Sequence, residues 1–120
     1  EETQKLFQIA TSDFNAGRFD IAISGFQDLV TRFPESEESK DAQYWIAECH
    51  YAKKQFEEAE KGYLLYFKQN QKGAKVCVVL YKLGMTYEKL DKSKSRDLVW
   101  KKLRDQCPDS EEAKLTKSRK

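Results

Sequence analysis

The residues with the greatest chemical potential in this chain are three cysteines, Cys49, Cys77 and Cys107, and a single histidine, His50. The cysteines form no C-x-x-C pair, and their spacing does not match a structural zinc site. A zinc ion needs about four ligands, which this chain barely supplies. We therefore expect neither a metal nor another cofactor, and we interpret Cys49 as a small apolar residue of the core.

Two glutamates, Glu48 and Glu88, could form a carboxylate pair for catalysis. They fall on different predicted hairpins, however, and neither histidine nor a metal site accompanies them. Solvated side chains on a helix surface explain both residues. We therefore expect that the protein is not an enzyme.

The composition of the 120-residue chain is that of a soluble single domain with a large surface, with 39% hydrophobic and 35% charged residues. The net charge is only +2, and acids and bases interleave, which argues against a large nucleic-acid footprint. No apolar run approaches the roughly 18 residues of a membrane helix, so no membrane insertion is expected. The sequence begins at Glu1, and we interpret it as a fragment or mature piece, so the missing signal peptide does not indicate a compartment.

An internal repeat of 37 residues organises the chain. Small residues recur at this spacing, at Ala10, Ala47 and Gly84. Large residues recur in the same way, at Phe26, Tyr63 and Trp100. At twice the spacing, FPESEE at 33–38 recurs as CPDSEE at 107–112. A repeat of this length, made only of amphipathic helical patterns, predicts an all-α solenoid of helix hairpins.

Apolar residues at three- and four-residue steps predict the helices of three hairpins. Their approximate ranges are 3–15 and 19–32, then 37–53 and 56–70, then 75–89 and 93–106. A mostly polar last helix, from about 110 to 120, would cap the stack. Gly17 and Gly73 are predicted to supply turns, and Ser36 and Ser110 to cap the helices that follow them. We expect one domain over 1–120, with repeats at approximately 3–36, 37–73 and 74–109.

Packing between hairpins follows from the same repeat. The small residues let paired helices approach closely, and Trp100 should be buried against the preceding hairpin. Leu98 is assigned to the apolar face of the helix that carries Trp100. Arg96 stands where the other repeats have alanine, so we expect a looser third hairpin or an Arg96 side chain shifted outward along the surface.

A disulfide between Cys77 and Cys107 is predicted from the antiparallel third hairpin. Cys77 lies in the first turn of one helix and Cys107 just after the end of the other, so both meet at the same end. Bonding also requires Cα atoms within about 7 Å of each other. The alternative is that both are small buried apolar residues.

These repeats resemble tetratricopeptide repeats, whose usual period is 34 residues. The matching features are the small residue of the first helix, the aromatic of the second, and the closing prolines Pro34 and Pro108. The resemblance implies a right-handed superhelical solenoid of three tetratricopeptide-type helix hairpins plus a C-terminal capping helix.

A closer resemblance is to the C-terminal domain of the Tol-Pal accessory family YbgF/CpoB. It rests on A-x-x-x-F at 22–26, F-P-x-S at 33–36, and A-x-Y-W-I-A at 42–47. K-L-G within 79–88 and the closing C-P-D-S also fit, whereas the three cysteines are unusual for that family. The resemblance implies a periplasmic protein that binds TolA, touches a peptidoglycan synthase, and links outer-membrane constriction to cell-wall synthesis at division. In that family a coiled coil forms trimers. The coiled coil is not in this sequence, and we expect an oligomer only through it.

The function that we expect is a protein-binding scaffold with a groove lined by the first helix of each hairpin. By the geometry of the tetratricopeptide family, the groove residues are Phe7, Thr11, Phe14, Tyr44, Glu48, Tyr51, Tyr81, Met85 and Glu88. We expect partial exposure for Tyr44 and Tyr81. Phe14 and Tyr51 are equally well explained as core between hairpins.

Other scaffolds remain as alternatives. BamD-like outer-membrane assembly lipoproteins have similar repeats, usually in more copies. A cytosolic adaptor that clamps a C-terminal carboxylate would need lysine and asparagine donors, where this chain has aromatic residues, Thr11, Glu48 and Met85. A further hypothesis is nucleic-acid binding through a basic tail, although a solvated chain end explains these residues as well. The basic residues of the tail are Lys114, Lys117, Arg119 and Lys120.

Overall fold

The computed structural model describes residues 2–117, and over that range it contains seven helices and no strand. The helices are α1 (Glu2–Asn15), α2 (Phe19–Arg32), α3 (Glu37–Ala52), α4 (Phe56–Gln69), α5 (Val76–Lys89), α6 (Ser93–Gln106) and α7 (Glu111–Thr116). Each of the first six packs against its neighbours in the chain, and α7 packs on α5 and α6. The predicted all-α, tetratricopeptide-like solenoid is confirmed. Its extents of 43 × 27 × 20 Å are those of an elongated stack.

The backbone conformation at the turn of each hairpin repeats with the same 37-residue spacing as the sequence. Gly17, Lys54 and Asp91, each 37 residues apart, all have positive φ, at 80°, 63° and 58°. This left-handed conformation reverses the chain between paired helices, and glycine adopts it at the lowest cost. The predicted turn at Gly17 is therefore confirmed, and the later repeats make the same turn with residues that carry a side chain.

Two of the loops between hairpins have the predicted serine caps. Ser36 Oγ accepts a hydrogen bond from the backbone N–H of Ser39, and Ser110 Oγ accepts one from Ala113, both at 3.0 Å. Each cap satisfies one of the N–H groups that the first turn of a helix leaves without a partner.

The middle loop has no side-chain cap, and Gly73 lies in its turn as predicted. Gly73 does not have positive φ, so it is not needed for a left-handed turn. A Cβ at this position would lie 2.6 Å from Tyr66 Oη and 3.0 Å from the carbonyl oxygen of Asn70. Glycine is required because the loop passes close to the Tyr66 hydroxyl, which accepts a hydrogen bond from the backbone N–H of Lys75.

Trp45 joins the two parts of the hydrophobic core. One buried cluster belongs to α1, α2 and α3, a larger one spans α3 to α7, and Trp45 packs against both. Its ring stacks on Phe26 at 6.4 Å between centroids and meets Phe14 and Tyr44 edge-on. Trp45 therefore links the two buried clusters into one core.

The third hairpin confirms the burial of Trp100. Trp100 is 2% exposed. Its ring stacks on Tyr81 of the same hairpin, and its Nε1–H donates to the Tyr81 carbonyl oxygen at 3.2 Å. The absence of a side chain on Gly84 makes room for the indole, since a Cβ there would lie 1.9 Å from Nε1. Trp100 is also part of the buried cluster that contains Tyr63 and Tyr66 of the preceding hairpin.

Arg96 and Leu98 show which side of α6 faces away from the core. The Arg96 guanidinium lies over the Trp100 ring and pairs with Glu88 at 2.9 Å and Asp97 at 3.0 Å. The arginine therefore covers the indole from the surface, in agreement with the outward shift. Leu98, assigned from sequence to the apolar face, is 72% exposed, so that assignment is wrong. Trp100 and Leu103 already occupy the inner face of α6, and Leu98 lies outside it.

Candidate protein-binding surface

The nine predicted groove residues lie on the first helix of each hairpin, and eight of them are partly buried. Tyr44 is the exception, at 7% exposed. The expected partial exposure of Tyr44 is therefore wrong, whereas Tyr81 is partly exposed as expected. Tyr44 is covered because Trp45, Tyr63 and the Lys75 ammonium surround its ring.

The aromatic residues of α1 face the core, Phe7 within the first hairpin and Phe14 toward the second hairpin as well. Phe7 meets Phe26 edge-on at 5.9 Å, and Phe14 meets Phe19 and Trp45 at 5.4 and 5.1 Å. Such edge-on pairs add to the stability that area burial already provides. The alternative interpretation of Phe14, as core, is the one that its contacts favour.

Glu48 lies at the centre of the surface, between the second and third hairpins. Its carboxylate accepts hydrogen bonds from the Tyr63 hydroxyl and from Lys82 Nζ, the latter at 3.3 Å. The Glu48 side chain is only 10% exposed, so the sequence interpretation of a solvated glutamate is wrong. A carboxylate with this little access to water must be paired and hydrogen-bonded, and three helices supply its neighbours.

The tyrosines around this carboxylate are held in their neutral form. Burial raises the pKa of Tyr63 well above its ordinary value, and the negative charge and hydrogen bond of Glu48 raise it further. Burial and Glu48 also raise the pKa of Tyr44. Both hydroxyls therefore remain hydrogen-bond donors at physiological pH.

Glu88, the other glutamate considered for catalysis, has a different partner. Its carboxylate pairs with Arg96 of α6, whereas Glu48 pairs with Lys82 of α5. Glu48 and Glu88 therefore belong to separate ion pairs, each of which connects two helices. Within residues 2–117, no three His, Cys, Asp or Glu side chains cluster so that they could hold a metal ion.

Half-buried apolar side chains lie beside the Glu48–Lys82 pair. Tyr51, Tyr81 and Met85 are partly exposed, and Lys82 Nζ lies 5.7 Å from the centroid of the Tyr51 ring. Aromatic and methionine side chains of this kind are enriched where proteins bind one another. The arrangement is suited to docking a polypeptide.

Sequence reasoning missed Lys82 and Tyr63 as members of this surface. A signal for Lys82 was present, because it stands 37 residues after Trp45, at the equivalent position of the next repeat. A change from tryptophan to lysine marks the place where the core between hairpins gives way to solvent. Tyr63 carried no such signal, since its ring is core and only its hydroxyl reaches the site.

Cys77 and Cys107 lie at the far end of the third hairpin. They are bonded in the structure, with Cα atoms 6.1 Å apart, which satisfies the distance on which the predicted pairing depends. Cys49 is free and buried, and burial raises the pKa of its thiol to about 12. Its thiolate is therefore not populated at neutral pH, as expected for a core residue.

The part of the chain that the structure describes has no helix with the length and apolarity needed to cross a membrane. Of the basic tail, Arg119 and Lys120 lie outside the described residues, as does the end of the predicted capping helix.

Comparison with known proteins identifies the family. Residues 1–118 match the family described as YfiO, outer membrane lipoprotein. No curated protein matches the chain. Domains of this tetratricopeptide type mediate protein–protein interactions. Because the match spans almost the whole sequence, the chain belongs to the YfiO family of outer membrane lipoproteins.

Proposed function

We propose that this domain is a non-catalytic scaffold of the periplasm that holds a segment of a partner protein across α3 and α5. One observation carries the proposal: the partly buried Glu48–Lys82 pair links the second and third hairpins beside half-buried aromatic side chains. A surface that is already fixed before binding loses little conformational entropy when a partner docks. We also propose that 1–120 is one domain, divided into repeats at approximately 3–36, 37–73 and 74–109, with the cap at 110–120.

Two assemblies are candidates for the partner. The motifs that resemble YbgF/CpoB favour the Tol-Pal system, with TolA as the first candidate and a peptidoglycan synthase as the second. Membership of the YfiO family favours instead a BamD-like role in outer-membrane protein assembly. Both roles require a polypeptide-binding surface, and the same experiment distinguishes them.

The test is titration calorimetry of the domain with purified soluble regions of TolA and, separately, of an outer-membrane assembly partner. Tyr51→Ala and Met85→Ala should each weaken binding of the true partner by at least about 1 kcal/mol, as central interface residues commonly do. Both side chains are partly exposed, so circular dichroism should remain helical.

Leu65→Ala is the matched control, because Leu65 is an exposed apolar residue on α4. It should leave the affinity unchanged. Equal affinities for the wild-type protein and both surface variants would contradict the proposed surface. Failure of both partners to bind the wild-type domain would contradict the proposed assemblies.

A further inference from the structure

An apolar groove runs between α4 and α6, with α5 as its floor. Its volume is about 310 Å³. The floor consists of Leu80, Leu83 and Tyr87, and the walls are Leu64 and Phe67 of α4 and Leu98 and Val99 of α6. We call this feature the α4–α6 groove.

The α4–α6 groove is separate from the surface proposed above. Successive residues of an α-helix are about 100° apart around its axis. On α5, Tyr81 and Met85 therefore lie on a different side from Leu80 and Leu83. Binding at one surface does not require the other.

Two leucines on the groove walls are open to solvent. Leu98 is 72% exposed and Leu64 is 41% exposed. Single exposed leucines are common on soluble proteins, but here they face one another across a recess with an apolar floor. The accessible apolar surface is therefore formed by the walls, and the buried side chains of α5 lie beneath it.

Lysines flank these leucines at helical spacing. Lys94 and Lys102 lie four residues before and after Leu98, and Lys68 lies four residues after Leu64, so each is a surface neighbour of its leucine. Lys102 Nζ also lies 5.6 Å from the centroid of the Phe67 ring.

The rim is positively charged because its lysines lack acidic partners. Among the described residues, no carboxylate lies within ion-pair distance of Lys68, Lys94 or Lys102. Nearby acids are already engaged: Glu60 pairs with Lys92 at 3.5 Å and Asp105 with Lys101 at 3.0 Å. An incoming carboxylate would find free cations on both sides of the groove.

We propose that the α4–α6 groove binds an amphipathic, acidic helix of a partner protein. Aliphatic side chains of that helix enter between Leu64 and Leu98, and its glutamate or aspartate residues meet the three unpaired lysines. The floor from Leu80 to Tyr87 rises about 10 Å along α5, or two helical turns. That length accommodates two anchors one turn apart, the pattern by which helices bind in grooves.

The shape of the site favours a helix over a lipid surface. Leu80 and Leu83 are fully recessed beneath the walls. Leu64 and Leu98 stand above these residues, so the accessible apolar surface is a channel between two helices rather than a flat patch. A channel of about 310 Å³ suits a few side chains that project from a helix.

The test uses fluorescently labelled peptides of about four helical turns. One carries leucines on one face and glutamates on its flanks, the second replaces the glutamates with lysines, and the third has the leucines scrambled. Fluorescence anisotropy measures affinity, and amide chemical shifts locate the bound peptide. The wild-type protein should bind the acidic peptide, with shifts on α4 and α6, and should bind the other two at least about tenfold more weakly.

Two variants and one control sharpen the test. Leu98→Ser should weaken the acidic peptide about tenfold. Lys102→Glu should weaken it by a similar factor and strengthen the basic peptide. Ile21→Ser changes another exposed aliphatic residue, on α2, and should have no effect. Because Leu98 is exposed, its substitution should leave the urea midpoint unchanged.

Several results would overturn the proposal. These are no binding of the acidic peptide up to about 1 mM, equal binding of the basic or scrambled peptide, or an equal loss from Ile21→Ser. Binding of anionic vesicles that depends on Leu98, without binding of any peptide, would assign the site to a membrane instead.

Discussion

Reduction of the Cys77–Cys107 bond should lower the free energy of unfolding by about 3.6 kcal/mol. The bond joins residues 30 apart in sequence. In the chain-entropy model a closed loop of that length removes roughly 12 cal/mol/K from the unfolded chain, which gives this value at 25 °C. The bond also holds the end of α6 to the start of α5, directly before the Ser110 cap of α7.

The assay is urea unfolding, followed by circular dichroism, with and without a phosphine reductant. For a domain of this size a loss of 3.6 kcal/mol corresponds to a midpoint about 2 M lower. The Cys77→Ala/Cys107→Ala variant should unfold near the reduced midpoint and should not respond to reductant. Cys49→Ala, which leaves the pair intact, should respond as the wild-type protein does.

Thiol titration decides whether the bond exists in solution. Unreduced, denatured protein should show one free thiol, from Cys49. Three free thiols in protein purified under oxidising conditions would refute the pairing, and an unchanged midpoint on reduction would refute the energetic reasoning. One free thiol would also favour the oxidising periplasm over the cytosol.

Three further predictions concern the core, the turns and the buried thiol. Trp100→Ala should cost roughly 3–5 kcal/mol; red-shifted Trp100 emission from the native protein, measured in a Trp45→Phe background, would contradict its burial. Lys54→Gly should raise the free energy of unfolding by about 0.5–1 kcal/mol and Gly17→Ala should lower it, because both positions have positive φ; shifts of the same sign in urea melts would contradict this. Burial raises the pKa of Cys49 from 9.0 to about 12. The folded state therefore retains a proton that the unfolded chain loses, so stability should fall as pH rises through this interval. Cys49→Ala should make that decline shallower, and identical pH profiles for the two proteins would count against it.

The helices could be predicted closely because their signals are local. The bounds of α2 and α6 agree with the sequence prediction, and α1, α3, α4 and α5 each differ by one residue at one end. The last helix, α7, ends at Thr116, earlier than predicted. Apolar spacing, the Ser36 and Ser110 caps, and Gly17 each act within a few residues of the chain. The 37-residue period also predicted the order in which the hairpins stack, since each repeat must bury its apolar face against the next.

The partners of individual side chains were decided only by the tertiary structure. Periodicity assigns a residue to a helix face, but its burial depends on what the neighbouring hairpin places opposite. Tyr44 is buried because Trp45 and Tyr63 surround it, and Leu98 is exposed because Trp100 and Leu103 fill the inner face of α6. The local sequence pattern predicted neither the burial of Tyr44 nor the exposure of Leu98.

Glu48 shows the same limit at the candidate site. In sequence it is one of many acidic residues on a helix. In the structure its carboxylate meets Tyr63, 15 residues later, and Lys82, 34 residues later. The sequence alone therefore determined an all-α stack of repeats and the helices that form the proposed binding surface. The Glu48–Lys82 ion pair and the lysine-rimmed groove between α4 and α6 exist only because folding brings separate hairpins together, and hydrogen bonds and desolvation act through space rather than along the chain.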